Sequence, residues 1–271
     1  MSVSAQAFQQ IRIDEPAPAV LRITLDRDET LNAYTNTMCD ELVAAVSAFE
    51  RDDRLRVLIL TGEGRAFSSG GDILEGEVPA MAASRQLPWI AVLREGVHRV
   101  VSTLFHCTKP TVVAVNGAAV AGGLTLALAC DFRIAGARAR LGDTANQIGY
   151  LPDEGGAWLF PRHMGYSNAL RMTLLSEVYD AVQAKELGLV NEVVGDEFLE
   201  QRSIEFATQL AARAPLAARL AKAAMRRSLT GTLGETLEEL QIAGALVNDS
   251  ADVQEGIRAF QEKRTPTFEG R

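Results

Sequence analysis

The sequence predicts an α/β body followed by a helical tail, and three observations support this class. Buried β-branched runs alternate with segments of helical periodicity up to residue 196. From about residue 197 onward the strand pattern is absent and four segments of helical spacing follow one another up to residue 262. Apolar residues make up 47% and charged residues 23%, as in globular chains with a core of their own. We therefore expect an α/β core over residues 1–196 and a helical region over residues 197–271.

The predicted elements alternate along the body. Val20–Leu25 has the alternation of a strand, whereas 56–61 and Thr111–Val115 are continuous apolar runs, each followed by a Gly turn. Residues 35–51 carry apolar side chains at helical spacing. Further strands are predicted at 132–135, 140–141 and, as an edge strand, 189–194. Further helices are predicted at 87–105, 121–129, 181–188, 198–213, 216–229, Leu233–Asn248 and 252–262.

Charge and cysteine usage exclude several classes of function. The 27 basic and 35 acidic residues give a net charge of −8, which disfavours nucleic-acid binding. The three cysteines form no disulfide framework, and the three histidines have no metal-ligand spacing with them. We expect no metal and reduced thiols, as in the cytoplasm.

A membrane location is also disfavoured. Residues 1–10 lack the basic start and apolar run of a signal peptide. Residues 111–130 carry no charge, but Asn116 and three glycines interrupt them. This pattern predicts a buried strand, a turn and a buried helix rather than a membrane span.

Two Gly-rich segments follow buried strands. They are GRAFSSGGD at residues 64–72 and NGAAVAGG at residues 116–123. Small residues allow a ligand to approach the backbone, and amides at a helix start are free to donate. One amide from each segment would form a clamp for an oxygen that gains negative charge. Neither segment has the spacing of a dinucleotide-binding motif or a P-loop, and each alone is compatible with a plain close-packed turn.

Together the two segments resemble the enoyl-CoA hydratase/isomerase family, also called the crotonase superfamily. The match consists of AFSSGGDI from Ala66 and, further along, AVNGAAVAGG from Ala114. The resemblance extends over residues 20–268. Other matching segments are LNA at 31–33, ACDFRIA at 129–135, AKELGLV at 184–190 and EGIRAFQEKRTPTF at 255–268.

The resemblance implies a crotonase-like spiral of ββα units with a C-terminal helical trimerisation region. It implies a homotrimer or a hexamer of two trimers, and a role in fatty acid metabolism. The substrate would be an acyl-CoA thioester, with coenzyme A as part of the substrate and no separate cofactor. The backbone amides of Ser68 and Gly122 would form the oxyanion hole. The residues that would bind coenzyme A are Ala66, Gly70, Gly71, Asp72, Ile73, Phe260 and Lys263.

The sequence departs from the family at both glutamates that a typical hydratase uses to add water. By resemblance these positions are Thr125 and Ala145. Neither side chain can act as a general acid or base near neutral pH. We therefore do not expect ordinary enoyl-CoA hydration, and the isomerases that use only the second glutamate are disfavoured too.

Three other residues are candidates for the catalytic groups. By resemblance, Asp153 occupies the place of the aspartate in dienoyl-CoA isomerases and of the nucleophile in 4-chlorobenzoyl-CoA dehalogenase. His98, twelve residues before Pro110, matches the histidine base of that dehalogenase. Glu154 lies near an aspartate of a carbon–carbon bond hydrolase of the superfamily. Alternatively, Asp153 is the N-cap of the next helix, Glu154 interacts with that helix dipole, and His98 is a surface residue.

Several functions therefore remain open at this point. The first is an acyl-CoA enzyme, a lyase or isomerase, with Asp153 as base or nucleophile and Glu154 or His98 assisting. A dehalogenase-like reaction, or hydrolysis of a carbon–carbon or thioester bond, would use Asp153 and His98. A non-catalytic acyl-CoA-binding relative would keep the amide clamp alone. Met81, Leu87 and Trp89 are candidates for the acyl pocket or for simple packing.

Overall fold

The computed structural model describes residues 8–72 and 88–270. Strands that join the larger sheet are β1 (Ile11–Ala17), β2 (Val20–Leu25), β3 (Val57–Gly62), β5 (Thr111–Val115), β7 (Phe132–Gly136) and β10 (Glu192–Val194). They lie in the order β1-β2-β3-β5-β7-β10. β1 is antiparallel to β2, and the other neighbours are parallel. The edge position of β10 is as expected.

A second sheet contains four short strands. They are β4 (Ala66–Ser68), β6 (Ala118–Val120), β8 (Arg140–Gly142) and β9 (Val178–Asp180). β4, β6 and β8 are parallel, and β9 closes the sheet antiparallel to β8. Each of β3, β5 and β7 in the first sheet is followed directly by a strand of the second sheet. The two-strand unit therefore repeats, as in the spiral of ββα units that the family resemblance implies.

The helices surround these two sheets. They are α1 (Asn36–Arg51), α2 (Pro88–Glu95), α3 (Val97–His106), α4 (Gly122–Ala129), α5 (Gly156–Met164), α6 (Tyr166–Leu175), α7 (Ala181–Glu186), α8 (Leu199–Ala211), α9 (Pro215–Ser228), α10 (Leu233–Asn248) and α11 (Ala251–Glu262). Thr35 caps α1 by accepting the amide of Met38 at 3.2 Å, so the predicted start at residue 35 is the cap of the helix.

The larger sheet is buried on both faces, as parallel sheets are. One face carries the main core, to which α1, α3 and α4 contribute. The other face packs against α8, where Leu199 and Ala207 contact a layer that includes Val57 and Val112. This double burial explains why the central strands are continuous apolar runs in the sequence.

Some predicted elements differ from the observed ones. The single helix predicted at 87–105 is two helices, and its first residue lies outside the described ones. The break is at Gly96, which has a non-helical ψ of −115° and precedes α3. The sequence analysis missed β1, β4, β6, β9 and α6. Strands of three residues are too short to display a periodicity.

The helical tail leaves much apolar surface exposed. α10 has no buried residue, and five of its apolar side chains are exposed: Leu233, Leu237, Leu240, Ile242 and Leu246. Among the described residues, no helix has both the length and the apolar character that crossing a membrane requires. Residues 111–130 form β5, β6 and α4 instead.

Candidate active site

The two Gly-rich segments meet at one edge of the second sheet. β4 and β6 are parallel neighbours, so the loops at their carboxyl ends lie side by side. A Cβ placed on Gly70 would lie 3.2 Å from the Gly122 amide nitrogen, and one on Gly123 would overlap the Ser68 carbonyl. Ser68 is fully buried, and its hydroxyl donates to the Asn32 carbonyl at 2.8 Å. The structure therefore brings Ser68, the last residue of β4, and Gly122, the first residue of α4, close together at the positions assigned to the oxyanion hole.

Ala121, in the second Gly-rich segment, has a strained backbone conformation. Ala121 has φ 48° and ψ −125° just before α4 begins at Gly122. Such a conformation is costly for a residue with a side chain, so the surrounding contacts have to maintain it. The Ala121 amide donates to the Gly142 carbonyl at 3.0 Å. This conformation turns the chain from β6 into α4 beside Gly70.

Asp153 and Glu154 lie in a turn that precedes α5. The N-cap of α5 is Gly155, with φ 118°, and no side chain of the described residues caps this helix. The capping interpretation of Asp153 is therefore wrong, and Glu154 lies outside the first turn of the helix. Both acidic side chains are half-buried and have partners from distant parts of the chain.

The partner of Asp153 is Trp89 on α2. Its indole Nε1 donates to Asp153 Oδ2 at 3.0 Å. The indole ring also stacks on Tyr150, with ring centroids 5.6 Å apart and planes 13° from parallel. Two aromatic rings that remain partly exposed therefore form a wall beside the Asp153 carboxylate.

The partner of Glu154 is Tyr34, which the sequence analysis did not single out. The Tyr34 hydroxyl donates to Glu154 Oε1 at 3.1 Å. A Cβ on Gly122 would overlap that hydroxyl and would lie 2.8 Å from Glu154 Oε1. The Glu154 carboxyl is thus next to the backbone of Gly122 in the second Gly-rich segment. Burial raises the pKa of Glu154, and the nearby carboxylates of Asp153 and Asp143 add to this rise.

His98 contacts the same turn in a different way. Its Nε2 lies 2.7 Å from the backbone carbonyl of Asp153. Because a carbonyl can only accept, this nitrogen carries the proton and donates. The exposed His98 ring therefore holds the backbone of the turn. This hydrogen bond is to the Asp153 carbonyl and does not involve the Asp153 carboxylate.

The two positions of the hydratase glutamates are buried and carry no charge. Thr125 is fully buried on α4, and among the described residues its hydroxyl has no hydrogen-bond partner. Ala145 is buried, and its amide donates to Asp143 Oδ1 at 3.1 Å. Asp143, a second residue that the sequence analysis missed, also accepts from Thr173 at 2.8 Å, and burial raises its pKa. No motif marked it.

The residues assigned to coenzyme A binding fall into two groups. Ala66, Gly70, Gly71 and Asp72 lie in or just after β4, and Asp72 forms a buried ion pair with Arg27 at 3.0 Å. Ile73 lies outside the described residues, as do Met81 and Leu87. Phe260 and Lys263 lie at the end of α11, where Phe260 is 86% exposed.

The chain is similar to known proteins along nearly its whole length. The family model described as enoyl-CoA hydratase/isomerase matches residues 15–271. A 1,2-epoxyphenylacetyl-CoA isomerase of Escherichia coli K12 is 35% identical over 93% of this chain and 95% of its own. A 2,3-dehydroadipyl-CoA hydratase of the same organism is 34% identical over 93% and 96%.

Solved structures agree. The crystal structure of an enoyl-CoA hydratase from Bacillus anthracis is 33% identical, covers 97% of this chain and 100% of its own, and superposes with a TM-score of 0.90. The crotonase fold expected from the sequence is therefore confirmed. By the family model, the two relatives and this superposition, the chain belongs to the enoyl-CoA hydratase/isomerase family.

Proposed function

We propose that the protein is an acyl-CoA isomerase, in which Asp153 is the base and Glu154 is a second proton carrier. The observation that carries the proposal is the position of the Glu154 carboxyl, beside Asp153 and in reach of Gly122. The hydratase positions Thr125 and Ala145 offer no titratable group. The similarity to a 1,2-epoxyphenylacetyl-CoA isomerase also supports the proposal.

The chemistry requires only the transfer of a proton. The Asp153 carboxylate would take a proton from the acyl chain. The electron pair left behind would spread onto the thioester oxygen, between the amides of Ser68 and Gly122. A carboxylic acid, Asp153 or Glu154, would return a proton to a different carbon. No atom is gained or lost, so the product is an isomer of the substrate.

A raised pKa suits Glu154 to this role. A carboxyl that exchanges its proton nearer to neutral pH is a better general acid than an ordinary glutamate. Asp153 and Glu154 also have different donors, the indole of Trp89 and the hydroxyl of Tyr34. Adjacent carboxyls in different surroundings can take different parts in one reaction.

The test compares isomerisation with hydration on the same enzyme. Crotonyl-CoA and 1,2-epoxyphenylacetyl-CoA would be incubated with the wild type. The products would be separated from the substrate by liquid chromatography, and their masses would be measured by mass spectrometry. An isomer has the mass of its substrate, whereas hydration adds the mass of water. We expect isomerisation that Asp153→Asn abolishes while the affinity for coenzyme A thioesters is unchanged. Fast hydration of crotonyl-CoA that survives Asp153→Asn would refute the proposal.

A second candidate is a dehalogenase-like or hydrolytic reaction at Asp153. The contact between His98 and the Asp153 carbonyl favours it, because the ring lies at this turn. His98→Gln separates the two proposals, since glutamine can still donate to the carbonyl but cannot act as a base. Retained turnover in His98→Gln is expected of the isomerase, and its loss favours the hydrolytic candidate. Binding of thioesters without turnover on either class of substrate would favour the non-catalytic alternative.

We propose further that the protein is a homotrimer or a hexamer of two trimers. The exposed apolar side chains of α10 support the proposal, because a single helix rarely leaves so many leucines in water. Light scattering after size exclusion gives the mass directly. A monomer in solution would contradict the proposal, and Leu237→Glu on the exposed face of α10 should lower the mass of the assembly.

A further inference from the structure

Tyr34 is fixed to the loop that follows β4. Its amide donates to the Gly70 carbonyl at 2.9 Å, and its carbonyl accepts from the Asp72 amide at 3.0 Å. Between these bonds Tyr34 forms a parallel bridge with Gly71. The backbone of Tyr34 therefore keeps a constant position relative to one half of the proposed oxyanion hole.

The ring of Tyr34 fills the space that two glycines leave open. A Cβ on Gly71 would lie 3.5 Å from the ring carbon Cε2 and from the hydroxyl. A Cβ on Gly122 would overlap the hydroxyl and would lie 2.8 Å from Cε1. Only 8% of Tyr34 is exposed. The hydroxyl is thus placed between the two loops by steric contact on both sides.

The hydroxyl remains a donor at every pH at which the protein would be assayed. Burial raises the pKa of Tyr34 well above its ordinary value, and the neighbouring Glu154 raises it further. The charged or titratable groups that act on Tyr34 are Glu154, Cys39 and Asp153. Those that act on Glu154, besides Tyr34, are Asp153 and Asp143.

We propose that Tyr34 is a positioning residue, whose hydroxyl holds the Glu154 carboxyl against Gly122. The hydrogen bond from Tyr34 lowers the pKa of Glu154 and so opposes the effect of burial. Tyr34 does not touch the reacting atoms in this proposal. Its hydrogen bond lowers the pH at which Glu154 exchanges its proton, against the larger effect of burial, and it fixes the direction in which the proton leaves.

The first experiment measures Glu154 itself. Glutamate labelled with ¹³C at the carboxyl is titrated by NMR in the wild type, and the signal that Glu154→Gln removes is assigned to Glu154. We expect this signal to titrate at higher pH in Tyr34→Phe, because the variant keeps the ring and loses the donor. Tyr179→Phe is the matched control, since it removes a 2.8 Å bond from Tyr179 to Glu177 elsewhere in the protein. An unchanged titration in Tyr34→Phe overturns the proposal.

The second experiment follows catalysis and rests on the proposed function. In the wild type, the part of the pH–kcat profile that depends on Glu154 is identified as the change that Glu154→Gln abolishes. This part of the profile should shift to higher pH in Tyr34→Phe. We expect kcat to fall roughly tenfold and KM to stay within about twofold. A lower kcat without this shift would mean a purely structural role and would overturn the positioning role.

The outcome of the NMR titration does not depend on the outcome of the kinetic experiment. The NMR titration needs no turnover, so it tests the link between Tyr34 and Glu154 even without an active substrate. If the wild type isomerises no thioester and the Glu154 signal still moves in Tyr34→Phe, the proposed function fails and the link between the two residues stands. Equal melting temperatures of the wild type and Tyr34→Phe would verify that both are folded.

Discussion

The indole of Trp89 and the carboxylate of Asp153 are joined by a 3.0 Å hydrogen bond between α2 and the turn before α5. Trp89 is 45% exposed, so this bond adds little to the stability of the fold. An N–H donor aimed at a carboxylate fixes its orientation. The bond therefore orients the carboxylate that we propose as the base.

Trp89→Phe should lower kcat about fivefold and leave the melting temperature within about 2 °C of the wild type. The variant keeps an aromatic ring and loses the donor to Asp153. Trp158→Phe is the control, because Trp158 packs against Phe105 on the side of α5. Equal kcat values for wild type and Trp89→Phe would show that this bond has no part in turnover.

Gly122→Ala should lower kcat by a factor of about 100 or more. The new methyl would overlap the Tyr34 hydroxyl and press on Glu154, so both the amide and the carboxyl would shift. Gly244→Ala on α10 is the matched control. A Cβ there has no atom of the described residues within 4 Å, so this variant should keep its activity and gain up to about 1 kcal/mol in helix stability. A Gly122→Ala enzyme of normal kcat contradicts the assignment of Gly122.

Thr125→Val should leave the free energy of unfolding unchanged or raise it by up to about 1 kcal/mol. The hydroxyl of Thr125 is buried and, among the described residues, has no hydrogen-bond partner. Replacing it with a methyl group removes a buried polar group that has lost its hydrogen bonds to water. Thr111→Val is the opposite case and should cost about 1–3 kcal/mol. The Thr111 hydroxyl donates to Asp131 Oδ2 and accepts from the Asp131 amide, each at 2.9 Å.

Denaturant unfolding of both variants at one pH gives the two values. If Thr125→Val costs as much as Thr111→Val, the Thr125 hydroxyl has a partner in solution.

The free energy of unfolding should fall as the pH is lowered from 6.5 towards 4. Burial lowers the pKa of His163 to about 4, and the charge of Arg133 contributes. Below the unfolded value near 6.5, the unfolded chain binds a proton that the folded chain excludes, so acid favours unfolding. By pH 5 the contribution of His163 should be about 2 kcal/mol.

To check this, the free energy of unfolding is measured as a function of pH in the wild type and in His163→Gln, which lacks the ionisable ring. Its stability should depend less steeply on pH over this window, and the difference between the two curves isolates His163 from the carboxylates. Parallel curves would mean that His163 keeps its ordinary pKa in the folded protein.

Strands that are continuous apolar runs, and long helices with apolar residues at helical spacing, could be predicted from the sequence. The bounds of β2, β5 and α10 agree with their predicted residues, because burial on both faces or regular helical spacing leaves a clear pattern. The three-residue strands β4, β6 and β9 have no such pattern. Their position depends on pairing with strands elsewhere in the chain.

Parts of the candidate site could also be predicted. The Gly-rich segments predicted an amide clamp, since close approach to the backbone requires small residues, and the family resemblance assigned it to Ser68 and Gly122. Asp153 and Glu154 were predicted from their departure from the family pattern. Tyr34 and Asp143 were missed, because a single tyrosine or aspartate among ordinary neighbours carries no local signal.

The sequence by itself determined the alternation of apolar strands and glycine turns, the family and the presence of two adjacent acids, Asp153 and Glu154, in a chain that lacks carboxylates at Thr125 and Ala145. Only the tertiary structure decided which donor meets which acid. Trp89 reaches Asp153 across 64 residues of chain, and Tyr34 reaches Glu154 across 120. The physical reason is that such contacts depend on the register of parallel strands and on how helices pack against them, and neither is encoded in a local pattern.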